Sequence, residues 1–151
     1  MIRTNIEFAQ IGSSVKSIAV TSSISMEGKS TTTVNLAYTY AQTGKKVLIV
    51  DADLRKPTLH KTFKLNNNVG LTTALVNDEY SLESVIQYSE DFDLYILPSG
   101  HIPPNPAEFV GLENPLKRQN RGFDYYEEGS FRSYSCKTSY YGVSYTLFRM
   151  V

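Results

Sequence analysis

The sequence predicts an α/β domain with a parallel sheet and flanking helices. Two observations carry this expectation. Short apolar runs of strand length alternate with segments whose apolar residues recur at helical spacing. The residues suited to chemistry also cluster just after those runs, at the carboxyl ends of the strands, where open α/β sheets hold their ligands.

Taken in order, residues 17–22 read as a short buried strand. A helix is expected from Lys29 to about Thr43, with Val34, Leu36, Ala37, Tyr40 and Ala41 as its apolar face. Gly44 ends it, and Lys45 and Lys46 lie beside the negative helix end. The run Val-Leu-Ile-Val at 47–50 is a second strand, bounded by Asp51. Residues 71–76 and 82–88 read as short helices, the second opened by Ser81 as N-cap. Leu-Tyr-Ile-Leu at 94–97 is a third strand, closed by Pro98, Gly100 and the loop Pro103-Pro104-Asn105-Pro106.

Composition bounds the function. With 151 residues the chain suits one domain. Lys+Arg and Asp+Glu balance at 15 each, giving no overall pull toward nucleic acid, so no nucleic-acid partner is expected. A single Cys136 cannot form an intrachain disulfide. No apolar run approaches the roughly 20 residues that span a bilayer, and the first residues have no signal-peptide core. A cytoplasmic domain is the expectation. His60 and His101 stand apart from other metal ligands, so zinc is not expected.

The average conceals a break. Residues 1–111 carry 9 basic and 11 acidic side chains; residues 112–151 carry 6 and 4. In the second part aliphatic residues thin out, while six of the 11 tyrosines gather there: Tyr125, Tyr126, Tyr134, Tyr140, Tyr141 and Tyr145. The expected organisation is a domain portion at 1–111 and an atypical Tyr-rich tail at 112–151 that lies outside the native fold.

Two segments at the carboxyl edge carry the functional argument. The first joins strand to helix and contains Glu27-Gly28-Lys29-Ser30-Thr31. Gly-Lys-Ser opening a helix after a strand matches the end of a phosphate-binding loop, in which backbone N–H groups and the helix dipole face phosphate oxygens. Lys29 would reach the terminal phosphates and Ser30 would ligate Mg²⁺. The full pattern asks for glycine five residues before Gly28, where this chain has Ser23. The second segment is Asp51-Ala-Asp53-Leu-Arg55-Lys56-Pro57. Residues two apart on a strand point the same way, so the two carboxylates would aim together at the sheet edge, where a cation would relieve their repulsion. A solvated turn with the acids paired to Arg55 and Lys56 is the plainer alternative.

These segments, with Pro98-Ser-Gly100-His-Ile-Pro-Pro-Asn-Pro106, resemble the bacterial tyrosine kinases, and more narrowly the cytoplasmic kinases of capsular and exopolysaccharide synthesis. The resemblance runs from Ile2 to about Gly111. It implies a P-loop NTPase-like fold in which the first loop is Walker A, holding ATP and Mg²⁺ through Lys29 and Ser30, and the acidic segment is Walker A′. It makes Asp51 the base that accepts a tyrosine hydroxyl proton and Asp53 a holder of the metal. It implies autophosphorylation of C-terminal tyrosines on neighbouring subunits, self-association in which Arg3 belongs to a subunit contact, and activation by a membrane-embedded polysaccharide co-polymerase at the inner face of the membrane.

The chain departs from that pattern in three places. The loop has Ser25-Met26 where the family has Pro-Gly, and a glycine there supplies positive φ or close approach to phosphate. No third acidic motif follows Gly111, where Asp124 is the lone aspartate. The N-terminal contact helix is short, beginning at Met1. The expectation is a chain truncated or frame-shifted after about residue 111, with impaired kinase activity. Two other classes compete: a partitioning or site-placement P-loop ATPase, disfavoured by Ile24 where such proteins have lysine, and a non-catalytic paralogue that docks on the kinase or its activator.

Overall fold

The computed structural model describes residues 2–9, 17–24, 26–106 and 146–150, the last as backbone strand. The elements in chain order are α1 (Ile2–Ala9), β1 (Ser17–Val20), α2 (Lys29–Ala41), β2 (Val47–Asp51), α3 (Leu59–Thr62), α4 (Leu71–Val76), α5 (Leu82–Val85), β3 (Gln87–Ser89), β4 (Leu94–Leu97) and β5 (Thr146–Met150). The six candidate tyrosines of the tail, Asp124 and Cys136 lie outside the described residues.

The sheet is mixed, with strand order β1-β5-β2-β4-β3. The three strands expected from the sequence do run in one direction: β2 pairs with β4 in parallel, and β1 and β2 both run antiparallel to β5. To the parallel strands expected from the sequence, the sheet adds two antiparallel ones. β5 lies between β1 and β2: residues 146–150 pair with β2 and residues 146–149 also with β1, Ile49 facing Phe148 and Ala19 facing Leu147 in register. At the other edge, β3 pairs antiparallel with β4 through Gln87↔Ile96, Tyr88↔Tyr95 and Ser89↔Leu94. The helix expected over 82–88 therefore ends at Val85, and Ile86 is already extended. Ser81 does cap it, accepting the Ser84 N–H at 3.2 Å.

β2 explains the layering. All five of its residues are buried, as a strand covered on both faces requires. Its side chains alternate. Val47 and Ile49 pack with Val34, Leu36, Ala37, Tyr40 and Ala41 of α2, and with Leu59 and Phe63. Leu48 and Val50 pack with Leu71 and Ala74 of α4 and Leu82 and Val85 of α5. β4 divides in the same way, Leu94 and Ile96 to the first cluster and Leu97 to the second. The result is three layers, with helices on both faces of the sheet.

α2 follows the predicted stripe and adds Thr33, whose hydroxyl is satisfied by the Lys29 carbonyl at 2.9 Å. Its end is closed by the Gly44 N–H on the Ala41 carbonyl at 2.8 Å, with Gly44 at φ 79. α1 lies against α2: Arg3 donates to the Thr39 carbonyl at 2.9 Å, and Ile6 packs on the first cluster.

Candidate nucleotide site

Because β1, β2 and β4 share a direction, their carboxyl ends share one edge of the sheet. The loop after β1 reaches α2 through Gly28, which sits at φ 84 and leaves open space where a Cβ would be. Glycine is required here by backbone conformation alone. The first helical bond, from the Thr32 N–H to the Gly28 carbonyl, closes at 2.8 Å. Lys29 and Ser30, half-buried, occupy the first turn, while Gly28 and Thr31 are exposed. The 13-residue helix thus presents its positive end at the site.

The loop is held from within by Glu27. Its Oε2 accepts the Ile24 N–H at 3.2 Å and the Ser23 hydroxyl at 3.5 Å, while the Ser22 hydroxyl donates to the Ile24 carbonyl at 2.7 Å. Met26, where the resemblance implies glycine, has φ 69 and is 95% exposed. The left-handed region is costly for a side chain of this kind, which gives a physical content to the departure noted in the sequence.

Asp51 ends β2 and is 1% exposed. Its Oδ1 accepts the Asp53 N–H at 3.3 Å; its Oδ2 accepts the N–H groups of Thr58 at 3.2 Å and Leu59 at 3.1 Å. Burial raises its pKa from 3.8 to about 6. The Leu59, Asp53 and Thr58 N–H groups oppose that rise, and the Asp53 charge adds to it. Asp53 is half-exposed, and its Oδ1 accepts the N–H groups of Arg55 at 3.3 Å and Lys56 at 2.9 Å. The alternative pairing of the acids with the Arg55 and Lys56 side chains is absent among the described residues; the backbone of that turn is what Asp53 holds.

The two predicted segments meet through a residue that sequence reasoning missed. The Thr58 hydroxyl donates to the Ser30 hydroxyl at 3.0 Å, and the same residue's N–H rests on Asp51. Ser30 and Asp51 are thereby brought together across 21 positions of sequence. Among the described residues, no hydrogen bond or ion pair ties Lys29 to either acid. Arg3 is engaged within its own chain, on Thr39 and in an ion pair with Glu7 at 3.9 Å.

The third loop of this edge follows β4. Asn67 clamps Gly100, accepting its N–H and donating to its carbonyl, each at 3.0 Å. The first turn of α4 is satisfied by that loop: Leu71 N–H on the Pro98 carbonyl at 2.8 Å and Thr72 N–H on the Ser99 carbonyl at 2.9 Å.

With this geometry in place, comparison with known proteins decides the family. The family described as the AAA domain matches residues 15–120. The chain belongs to it. The relatives are bacterial tyrosine kinases, as the motifs implied. Over 109 residues the chain is 55% identical to "Tyrosine-protein kinase YwqD" of Bacillus subtilis, covering 72% of this chain and 46% of that protein. It is 40% identical to "Tyrosine-protein kinase CpsD" of Streptococcus agalactiae over the same length, covering 72% and 47%. Among solved structures, the chimerical protein CapA2B2 superposes with a TM-score of 0.68 at 46% identity, covering 78% of this chain and 50% of that one. The kinase domain of Escherichia coli tyrosine kinase ETK gives 0.65 at 31%, covering 72% and 42%. The chain spans about half the length of the YwqD and CpsD kinases and of the CapA2B2 chain.

Proposed function

We propose that this chain carries the nucleotide-binding portion of an ATP-dependent, autophosphorylating protein tyrosine kinase that regulates capsular or exopolysaccharide synthesis and export. The observation that carries the reading is the junction of Ser30, Thr58 and Asp51, which joins a helix N-terminus suited to phosphate with a buried carboxylate. Kinship with bacterial tyrosine kinases supports it.

The residues present fit Mg²⁺. Ser30 offers a hydroxyl, and Asp53 uses only Oδ1 for the backbone among the described residues, leaving Oδ2. Among those residues no cluster of three or more His, Cys, Asp and Glu side chains could cage a metal alone. A hard cation that takes few protein oxygens and several from phosphates and water suits such a site. When bound, Mg²⁺ would neutralise charge on the phosphates. Lys29 and the N–H groups of the first turn, with Gly28 and Thr31 at their borders, hold and orient the phosphoryl group. Asp51, whose proton affinity is raised by burial yet which remains ionised near neutral pH, accepts the proton of a tyrosine hydroxyl.

Impairment belongs to the same proposal. Met26 strains the phosphate loop through its left-handed backbone. Phosphoryl transfer depends on electrostatic positioning, so nucleotide binding is expected to be weak and autophosphorylation slight. The tail tyrosines Tyr125, Tyr126, Tyr134, Tyr140, Tyr141 and Tyr145 are the proposed acceptors, Arg3 the proposed subunit contact, and a membrane-embedded co-polymerase the proposed activator at the cytoplasmic face. No helix among the described residues is long and apolar enough to cross a membrane.

The test is binding of labelled ATP with Mg²⁺, followed by phosphotyrosine detection with and without the activator's cytoplasmic segment. Weak binding that is lost in Lys29→Met is the expected result. Equal binding by wild type and Lys29→Met would overturn the reading. Binding without any phosphotyrosine under either condition would favour the non-catalytic paralogue.

A further inference from the structure

Thr58 stands outside the motifs that drew attention to Asp51, Asp53 and Ser30, yet it touches two of the three. Its hydroxyl donates to the Ser30 hydroxyl at 3.0 Å across 28 positions of sequence. The backbone around it is fixed from both sides. Its N–H and that of Leu59 share Asp51 Oδ2, at 3.2 and 3.1 Å, and its carbonyl takes the Lys61 and Thr62 N–H groups at 3.1 and 3.2 Å. The buried Pro57 precedes it and restricts the chain's approach. Thr58 is therefore a donor on a rigid mount, aimed at one oxygen.

We propose that Thr58 is a positioning residue for Ser30, setting which lone pair the serine hydroxyl presents to a divalent cation. The inference rests on the nucleotide reading of this site.

The argument is one of hydroxyl bookkeeping. A serine oxygen has one proton and two lone pairs. A donor at 3.0 Å occupies one lone pair and leaves the other, with a defined direction, for a cation. Without that donor, a serine in the first turns of a helix has a competing use for its hydroxyl. Ser30 is only half-buried, so its hydroxyl can rotate to another staggered position and bond to water instead. Removing the Thr58 hydroxyl thus frees the Ser30 rotor and lowers the fraction of molecules ready for the metal. Because Thr58 is mounted on Asp51, the orientation of the metal-facing hydroxyl is also tied to the carboxylate proposed as base.

The test uses the full chain and a fluorescent ATP analogue, titrated once with Mg²⁺ and once with EDTA. Thr58→Val keeps the shape and removes the donor; Thr58→Ser keeps the donor. The expected result is a loss of about five- to tenfold in the Mg²⁺-dependent gain in affinity for Thr58→Val. Affinity in EDTA stays within about twofold of wild type, on the same scale, and Thr58→Ser restores the gain. In a Ser30→Ala background, Thr58→Val should cost nothing further. An unchanged Mg²⁺ gain in Thr58→Val overturns the proposal. So does an equal loss with and without Mg²⁺, or failure of Thr58→Ser to rescue, since either marks a general structural role. If wild type itself shows no nucleotide binding, the underlying nucleotide reading fails, and this proposal falls with it.

Discussion

Asp51 Oδ2 accepts the backbone N–H of Leu59 at 3.1 Å, so a carboxylate at the end of β2 caps a helix eight residues further along the chain. The cap lies at 1% exposure, and burial outweighs its hydrogen bonds, lifting the pKa from 3.8 to about 6. The folded state therefore binds this proton more tightly than the unfolded chain does. Its contribution to stability is fully present below about pH 4, is lost as pH rises through about 6, and is flat above. Chemical denaturation between pH 4 and 7 is expected to show a decline of at most about 3 kcal/mol from this group. In Asp51→Asn that slope should vanish, although Asn accepts through one oxygen only and cannot keep all three N–H contacts. A slope that persists in the variant would assign it to other groups.

Met26 offers a test of strain. Its φ of 69 costs about 1–2 kcal/mol relative to glycine, and its side chain, 95% exposed, gains little packing in return. Met26→Gly relieves the strain but widens the unfolded ensemble, so the net stabilisation expected is about 0.5–1 kcal/mol. Nucleotide affinity should rise as well, because the loop no longer resists the conformation that phosphate requires. Thermal unfolding and ATP-analogue titration check the two effects separately.

Gly70 is governed by space instead. Its φ of 179 is ordinary extended backbone, but an added Cβ would lie 2.3 Å from the Pro98 carbonyl oxygen and 2.5 Å from the Gly100 nitrogen. Both are backbone atoms, held by the bonds that join α4 to the loop after β4. Gly70→Ala is expected to cost at least about 3 kcal/mol and to detach that loop from α4. Urea denaturation measures the cost, and hydrogen exchange at Leu71 and Thr72 reports the detachment.

How much of this was legible follows from the range of the forces. β2 was readable because a strand covered on both faces is a continuous apolar run, and α2 because its buried stripe repeats at 3.6 residues. α3 was not. Its N-terminus is capped by Asp51 from a different element, so no local cap signals it. β3 was read as helix because Ser81 correctly opens α5; what stops the helix is pairing with β4, marked by the Tyr88 and Tyr95 rings 5.0 Å apart. At the site, the residue types in each loop were visible. The contact between loops, Thr58 to Ser30, is a product of tertiary structure and leaves no trace in spacing.

The last prediction concerns the boundary near residue 111. Among the described residues, the strand pairing of β1 is with β5, through Ser17↔Arg149 to Val20↔Thr146. β1 leads directly into the phosphate loop, so the position of that loop depends on a strand from the segment whose composition set it apart. Truncation after Gly111 would leave facing backbone groups of β1 and β2 without ladder partners. The residues of β2 are buried, and each of its groups left unpaired there costs about 1–3 kcal/mol. The truncated chain should therefore exchange its amide protons rapidly at residues 17–20 and 47–51, bind nucleotide more weakly than the full chain, and self-associate through the exposed edges. Hydrogen exchange, nucleotide titration and light scattering on the two lengths make the comparison. Equal protection of β1 in both would place the tail outside the working fold, as the sequence alone suggested. Protection lost only in the truncated chain would make residues 146–150 part of what holds the phosphate loop in place.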